Sequence, residues 1–187
     1  MARKFVSFLS AVLVFAWAPA ASAQIWSAPG FTGIVDEADT SMHVFGSNGA
    51  VAIRSSARGT LNLRYPVQTL PDRLAGLCLP LRVNFRDTGA GARVIIEVVR
   101  LGISPGLPEN SLLPLGGIDS DGAEPSGDPN RYRSGQICID HQPDEEFLID
   151  YALYAYFVDV QLIKTTATAN PGLLSLQICP SRDRCDP

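Results

Sequence analysis

From about residue 33 onward, apolar and polar positions alternate with a period of two, and helical periodicity is nearly absent. Leu61, Leu63, Tyr65 and Val67 alternate with Asn62 and Arg64, and Leu77, Leu79, Leu81, Val83 and Phe85 with Arg82, Asn84 and Arg86. Ala92, Val94, Ile96 and Val98 oppose Arg93 and Glu97. Tyr156, Val158, Val160 and Leu162 oppose Asp159 and Gln161, and Leu174, Leu176 and Ile178 oppose Ser175 and Gln177. Each run predicts a strand with one buried and one wet face, the signature of an antiparallel sheet. Shorter candidates are 33–37, 41–45, 50–54, 136–141 and 147–149.

Turn chemistry separates these runs at Gly46-Ser47-Asn48-Gly49, Asp87-Thr88-Gly89-Ala90-Gly91 and Asn170-Pro171-Gly172. Eight to ten short strands so punctuated predict an all-β, antiparallel β-sandwich of jelly-roll kind. An outer-membrane barrel needs repeated strands of about 10 residues with apolar outer faces. Several strands here are shorter, and the interval 102–135, with five prolines and seven glycines, has no sustained period. That interval predicts a long irregular loop, the kind of segment that carries ligand contacts.

The first 23 residues break the pattern. Arg3 and Lys4 precede an uncharged apolar run from Phe5 to Trp17, Pro19 ends it, and Ala21-Ser22-Ala23 supplies the small residues of a peptidase site. The run is shorter than the roughly 20 residues of a membrane span. It predicts a cleaved signal peptide over 1–23, a single domain over 24–187, and a secreted or periplasmic destination without membrane attachment. Of 15 basic residues, Arg3 and Lys4 leave with the signal, so 13 face 19 acidic ones. An acidic domain is a poor partner for nucleic acid or an anionic membrane surface.

Cys78, Cys138, Cys179 and Cys185 form an even set without a Cys-x-x-Cys pair, so two disulfides are expected over a zinc site. Three connectivities are open, with Cys179–Cys185 and Cys78–Cys138 preferred because the former closes a short loop. Parity turns Cys78, Cys138 and Cys179 off the core face, as staples near strand ends.

Candidate chemistry is sparse. Asp87-Thr88-Gly89-Ala90 matches the catalytic tetrapeptide of aspartic proteases, which needs two carboxylates sharing a proton. Only one copy exists, Arg86 precedes it, and strands flank it, so a hairpin loop is the better reading. Asp119, Asp121 and Glu124, with Asp128 beyond, place carboxylates where they can wrap calcium, although the EF-hand spacing is missing. His141 stands among acids at 140–146 and His43 on a strand; nothing in the sequence links them, and a charged surface turn accounts for the former. Tyr151, Tyr154, Tyr156 and Phe157 suggest a sugar-stacking surface, but the parity of Tyr156 assigns it to the core. No nucleophile elbow, phosphate loop or dinucleotide fingerprint is present.

Gly33-Ile34-Val35-Asp36-Glu37, the run Gly59 to Tyr65 and the run Tyr156 to Leu162 are similar, in organisation and order, to a loose group of small exported bacterial β-sandwich proteins of unknown function. The resemblance implies an exported sandwich and transfers no site residue. The expected function is a non-catalytic binding or interaction module for a glycan or a surface partner, with no cofactor. The alternative is a small extracellular hydrolase using His141 and nearby acids, or Asp119 and Asp121 through a metal. The two differ in whether His43, His141 and the 119–128 carboxylates share one cleft.

Overall fold

Alternation of β-branched and leucine side chains with polar ones gives each strand a face that must be covered. In the computed structural model, which describes residues 26–68, 78–103, 112–122, 133–140 and 151–179, eleven strands satisfy that need. In chain order they are β1 (Trp26–Pro29), β2 (Ile34–Val35), β3 (His43–Phe45), β4 (Val51–Ile53), β5 (Gly59–Val67) and β6 (Cys78–Arg86). There follow β7 (Ala92–Gly102), β8 (Leu112–Asp119), β9 (Arg133–Asp140), β10 (Tyr154–Lys164) and β11 (Gly172–Ile178). One sheet runs β3-β4-β11-β6-β9, with β1 also on β11; the other runs β2-β5-β10-β7-β8. Every pairing is antiparallel.

The inward residues of both sheets form one core. Leu81, Val83, Phe85, Leu176 and Ile178 come from the first sheet, and Leu61, Leu63, Val94, Ile96, Val158, Val160 and Leu162 from the second. The chain is an all-β antiparallel sandwich, as its alternation predicts. Tyr156 is in the core, with Tyr151 edge-on to it at 5.2 Å, so these rings pack inward.

The structure departs from the sequence expectations in four places. Among the described residues there are eleven strands, of which β1 and β8 were not foreseen. β8 lies inside the interval expected to be an irregular loop. Pro114, Gly116 and Gly117 hide its alternation, and it pairs with β7 through a register shift at Val98/Val99 that buries both valines. The turn 87–91 is not a hairpin, since β6 and β7 belong to opposite sheets and the segment arches between them. Its turn chemistry is as expected: Asp87 Oδ1 accepts from Gly89 N at 2.8 Å, and Gly89 and Gly91 have φ of 85° and 89°. In β11 a bulge between Leu173 and Ser175 makes Leu173 the core residue and leaves Leu174 half-buried. Cys179 is 1% exposed without belonging to the core cluster, and its N–H donates to Pro80 O at 3.0 Å.

Register also constrains the cysteines. Cys138 is opposite Pro80 on one side of β6, and Cys179 is bonded to Pro80 on the other. Two strand spacings, roughly 9.6 Å, separate them, more than the ~7 Å a disulfide tolerates between Cα atoms. That register predicts that Cys138 and Cys179 do not pair. Residues 1–23, strand candidate 147–149 and Cys185 lie outside the described residues.

Candidate functional site

The β3–β4 hairpin closes through Gly46-Ser47-Asn48-Gly49. Gly46 N donates to Ala50 O at 2.8 Å, and Gly49 takes φ of 84°, which favours glycine. Gly49 O accepts from Phe31 N at 3.0 Å, tying the hairpin to the 3-10 turn Gly30–Thr32. This brings Phe31 and Phe45 edge to face, centroids 6.5 Å apart, although they are 49% and 50% exposed. His43 stacks on Phe45 at 4.8 Å, with its Nδ1 buried and unpartnered among the described residues.

Beside this rim opens a cleft of about 610 Å³, within the range of small-molecule sites. Val44, Phe45 and Asn48 form its hairpin side, and Arg54, Ser55 and Ser56 a second wall. The third wall is the β10–β11 crossover at Thr168 and Asn170, with Arg86 behind it. Hydrogen bonds fix the walls. Arg54 Nε donates to His43 O at 2.7 Å. Arg86 forks onto Asn170, Nε to the backbone O at 3.0 Å and an Nη to Oδ1 at 2.8 Å, while Asn170 N donates to Thr88 Oγ1 at 2.8 Å. Lys164 ends the core face of β10 and is 2% exposed, its Nζ donating to Arg54 O and Ser55 O at 3.0 and 3.1 Å.

A smaller depression of about 410 Å³ lies on the outer face of the second sheet, around Ile34, Asp36, Asn62, Arg64, Asp159 and Gln161. Arg64 is engaged there by a two-point pair to Asp159 at 2.7 and 2.6 Å and by the Phe157 ring at 5.0 Å. The Asp159 carboxylate holds the Arg64 guanidinium above its ordinary pKa. Its charges are satisfied internally, so the larger cleft is the stronger candidate.

The described residues singled out from sequence do not build either place. Asp119 forms a two-point ion pair with Arg93, whose Nε also lies 3.4 Å from Asp121. Arg93 holds the Asp119 carboxyl below the usual carboxylate range, with a smaller contribution from the Asp121 N–H. Both carboxylates are spent on a guanidinium, and no group of three or more His, Cys, Asp or Glu among the described residues could hold a metal. Glu124, Asp128 and His141 lie outside the described residues. His43 is on the far edge of its sheet, four strands from β9, and β9 lies against β8, which carries Asp119. Four strand spacings are roughly 19 Å, so His43 and Asp119 share no cleft. Lys164, a lysine in the apolar register of β10, was the legible signal for the larger cleft.

No family model and no curated protein matches this chain. Several solved structures are distantly similar, among them the following two. A family two carbohydrate esterase from Cellvibrio japonicus shares 8% identity at a TM-score of 0.39; the likeness covers 83% of this chain and only 33% of the esterase chain. A family 11 carbohydrate-binding module from Clostridium thermocellum, solved with a β-1,3-1,4-mixed-linked tetrasaccharide, shares 13% identity at a TM-score of 0.33, over 82% of this chain and 86% of the module. Neither assigns a role to a residue here.

Proposed function

We propose that the chain is an exported, non-catalytic glycan-binding module and that the cleft beside Phe45 is its binding site. The observation that carries this is the half-exposed Phe31–Phe45 pair, held by hairpin hydrogen bonds at the mouth of a cleft with polar walls. A sugar ring offers an apolar face and a rim of hydroxyls. An aromatic edge with Asn48, Ser55, Ser56 and Thr168 nearby complements both. Export rests on residues 1–23, whose charge, apolar run and Ala21-Ser22-Ala23 end have the form of a cleavable signal. Among the described residues no helix is long and apolar enough to cross a membrane.

The test is a glycan-array screen followed by calorimetry on the best ligand. Phe45→Ala should weaken binding about tenfold or more, a loss of about 1.4 kcal/mol, with the melting temperature nearly unchanged because the ring is half exposed. A Phe45→Ala variant that binds as well as the parent refutes the site.

A further inference from the structure

We infer that the cleft selects an anionic glycan, one carrying carboxylate or sulfate groups; this rests on the glycan-binding reading and names its ligand class. The chain is acidic overall, with 19 acidic against 15 basic residues, yet among the described residues lining the cleft none is acidic and three, Arg54, Arg86 and Lys164, are cationic. Ion pairs among the described residues join Arg64 to Asp159, and Arg93 to Asp119 and Asp121. Lys164 and Arg54 take part in none of them.

Lys164 is the decisive group. Its ammonium sits at the 2% exposed end of a core-facing register, where a cation without a counter-charge is costly. An ammonium has three donors. Two go to the carbonyls of Arg54 and Ser55, and the third meets no partner among the described residues. Those two carbonyl residues themselves line the cleft, so the charge lies at its wall. Arg54 spends Nε on His43 O, leaving the rest of its five-donor fork for the two-oxygen face of a carboxylate or sulfate. A bound anion would supply the counter-charge that no described residue places beside Lys164 or Arg54. Asn48 and Ser56 can then bond neutral hydroxyls along the same ligand.

The experiment compares four probes by calorimetry on the whole chain: tetragalacturonic acid, its methyl ester, a sulfated heparin tetrasaccharide and neutral cellotetraose. The charged probes should bind at least about tenfold more tightly than the neutral two, as expected of hydrogen bonds to a charged group. Their affinity should fall between 50 and 500 mM salt, roughly as screening shortens. Preference between the carboxylated and sulfated probes identifies which anion the cleft is built for. Arg54→Gln should weaken the charged probe by about tenfold more than it weakens the neutral ones. Lys164→Met should do the same, and if that variant does not fold, the exposed Arg54 decides. Equal or tighter binding of the neutral probes overturns the anionic assignment while the glycan reading stands. Charged-probe binding indifferent to Arg54→Gln overturns the assignment to this cleft, and no binding of any probe removes both readings.

Discussion

Tyr65 joins the core to the rim of the cleft, and removing its hydroxyl gives a prediction with two parts. The phenol is buried on β5 and donates to Gly30 O at 2.5 Å. Gly30 precedes Phe31, whose N–H holds the β3–β4 hairpin. Tyr65→Phe keeps the ring and leaves the Gly30 carbonyl with only a long contact, 3.5 Å, from Gly33 N. Losing one partner of a buried bond costs about 1–3 kcal/mol. For a chain of this size a central loss of about 1.5 kcal/mol lowers the melting temperature by roughly 3–6 °C. The second part concerns pH. Burial pushes the Tyr65 phenol far above its ordinary pKa, so above about pH 10 the unfolded chain loses this proton and the folded one keeps it. The contribution is full below pH 10 and declines by about 1.4 kcal/mol per pH unit above it. Phenylalanine has no such decline, so the deficit of the variant should shrink to near zero by about pH 11. Urea unfolding of both proteins at pH 7 and pH 11 measures this. An equal deficit at the two pH values, or none at pH 7, refutes the reasoning.

Two further outcomes follow from backbone geometry. A Cβ at Gly30 would lie 2.2 Å from Leu173 O and 3.0 Å from Val51 N. Gly30→Ala should therefore cost about 1–3 kcal/mol or more in chemical denaturation. Gly89→Ala, with φ of 85° and nothing within 4 Å, should pay only about 1–2 kcal/mol of left-handed strain; a larger loss at Gly89 than at Gly30 contradicts the packing. We also predict that non-reducing peptide mapping finds either Cys78–Cys138 with Cys179–Cys185, or Cys78–Cys179 with Cys138–Cys185. A Cys138–Cys179 peptide would show that the β9-β6-β11 register is wrong.

The sandwich was legible because period-two alternation directly encodes a sheet with one covered face, and Leu61 to Val67 or Val94 to Val98 needs no tertiary information to be read. What alternation cannot encode is which sheet a strand joins. Asp87 and Gly89 announce a reversal, and the same residues serve a hairpin or an arch. β8 escaped because Pro114 and two glycines interrupt its side-chain pattern, while its pairing with β7 is a matter of backbone. The cleft was hidden for another reason. Phe31, Phe45, Arg54, Lys164 and Asn170 are drawn from both ends of the chain, and only the strand order brings them together. In the conspicuous run Asp119-Ser120-Asp121 both carboxylates pair locally with Arg93.

The arches that cross between the sheets, β6 to β7 and β10 to β11, are hooked to each other. Thr88 meets Asn170, Arg86 grips the same asparagine, and Thr165 N donates to Gly91 O at 2.8 Å. These bonds join residues more than 70 positions apart, the kind of closure whose entropy is recovered late and which slows folding. One wall of the cleft is thus assembled only when the two distant crossovers have found each other. Binding competence in this protein should appear with the last kinetic phase of refolding, so that a chain able to hold its ligand is one that has finished folding.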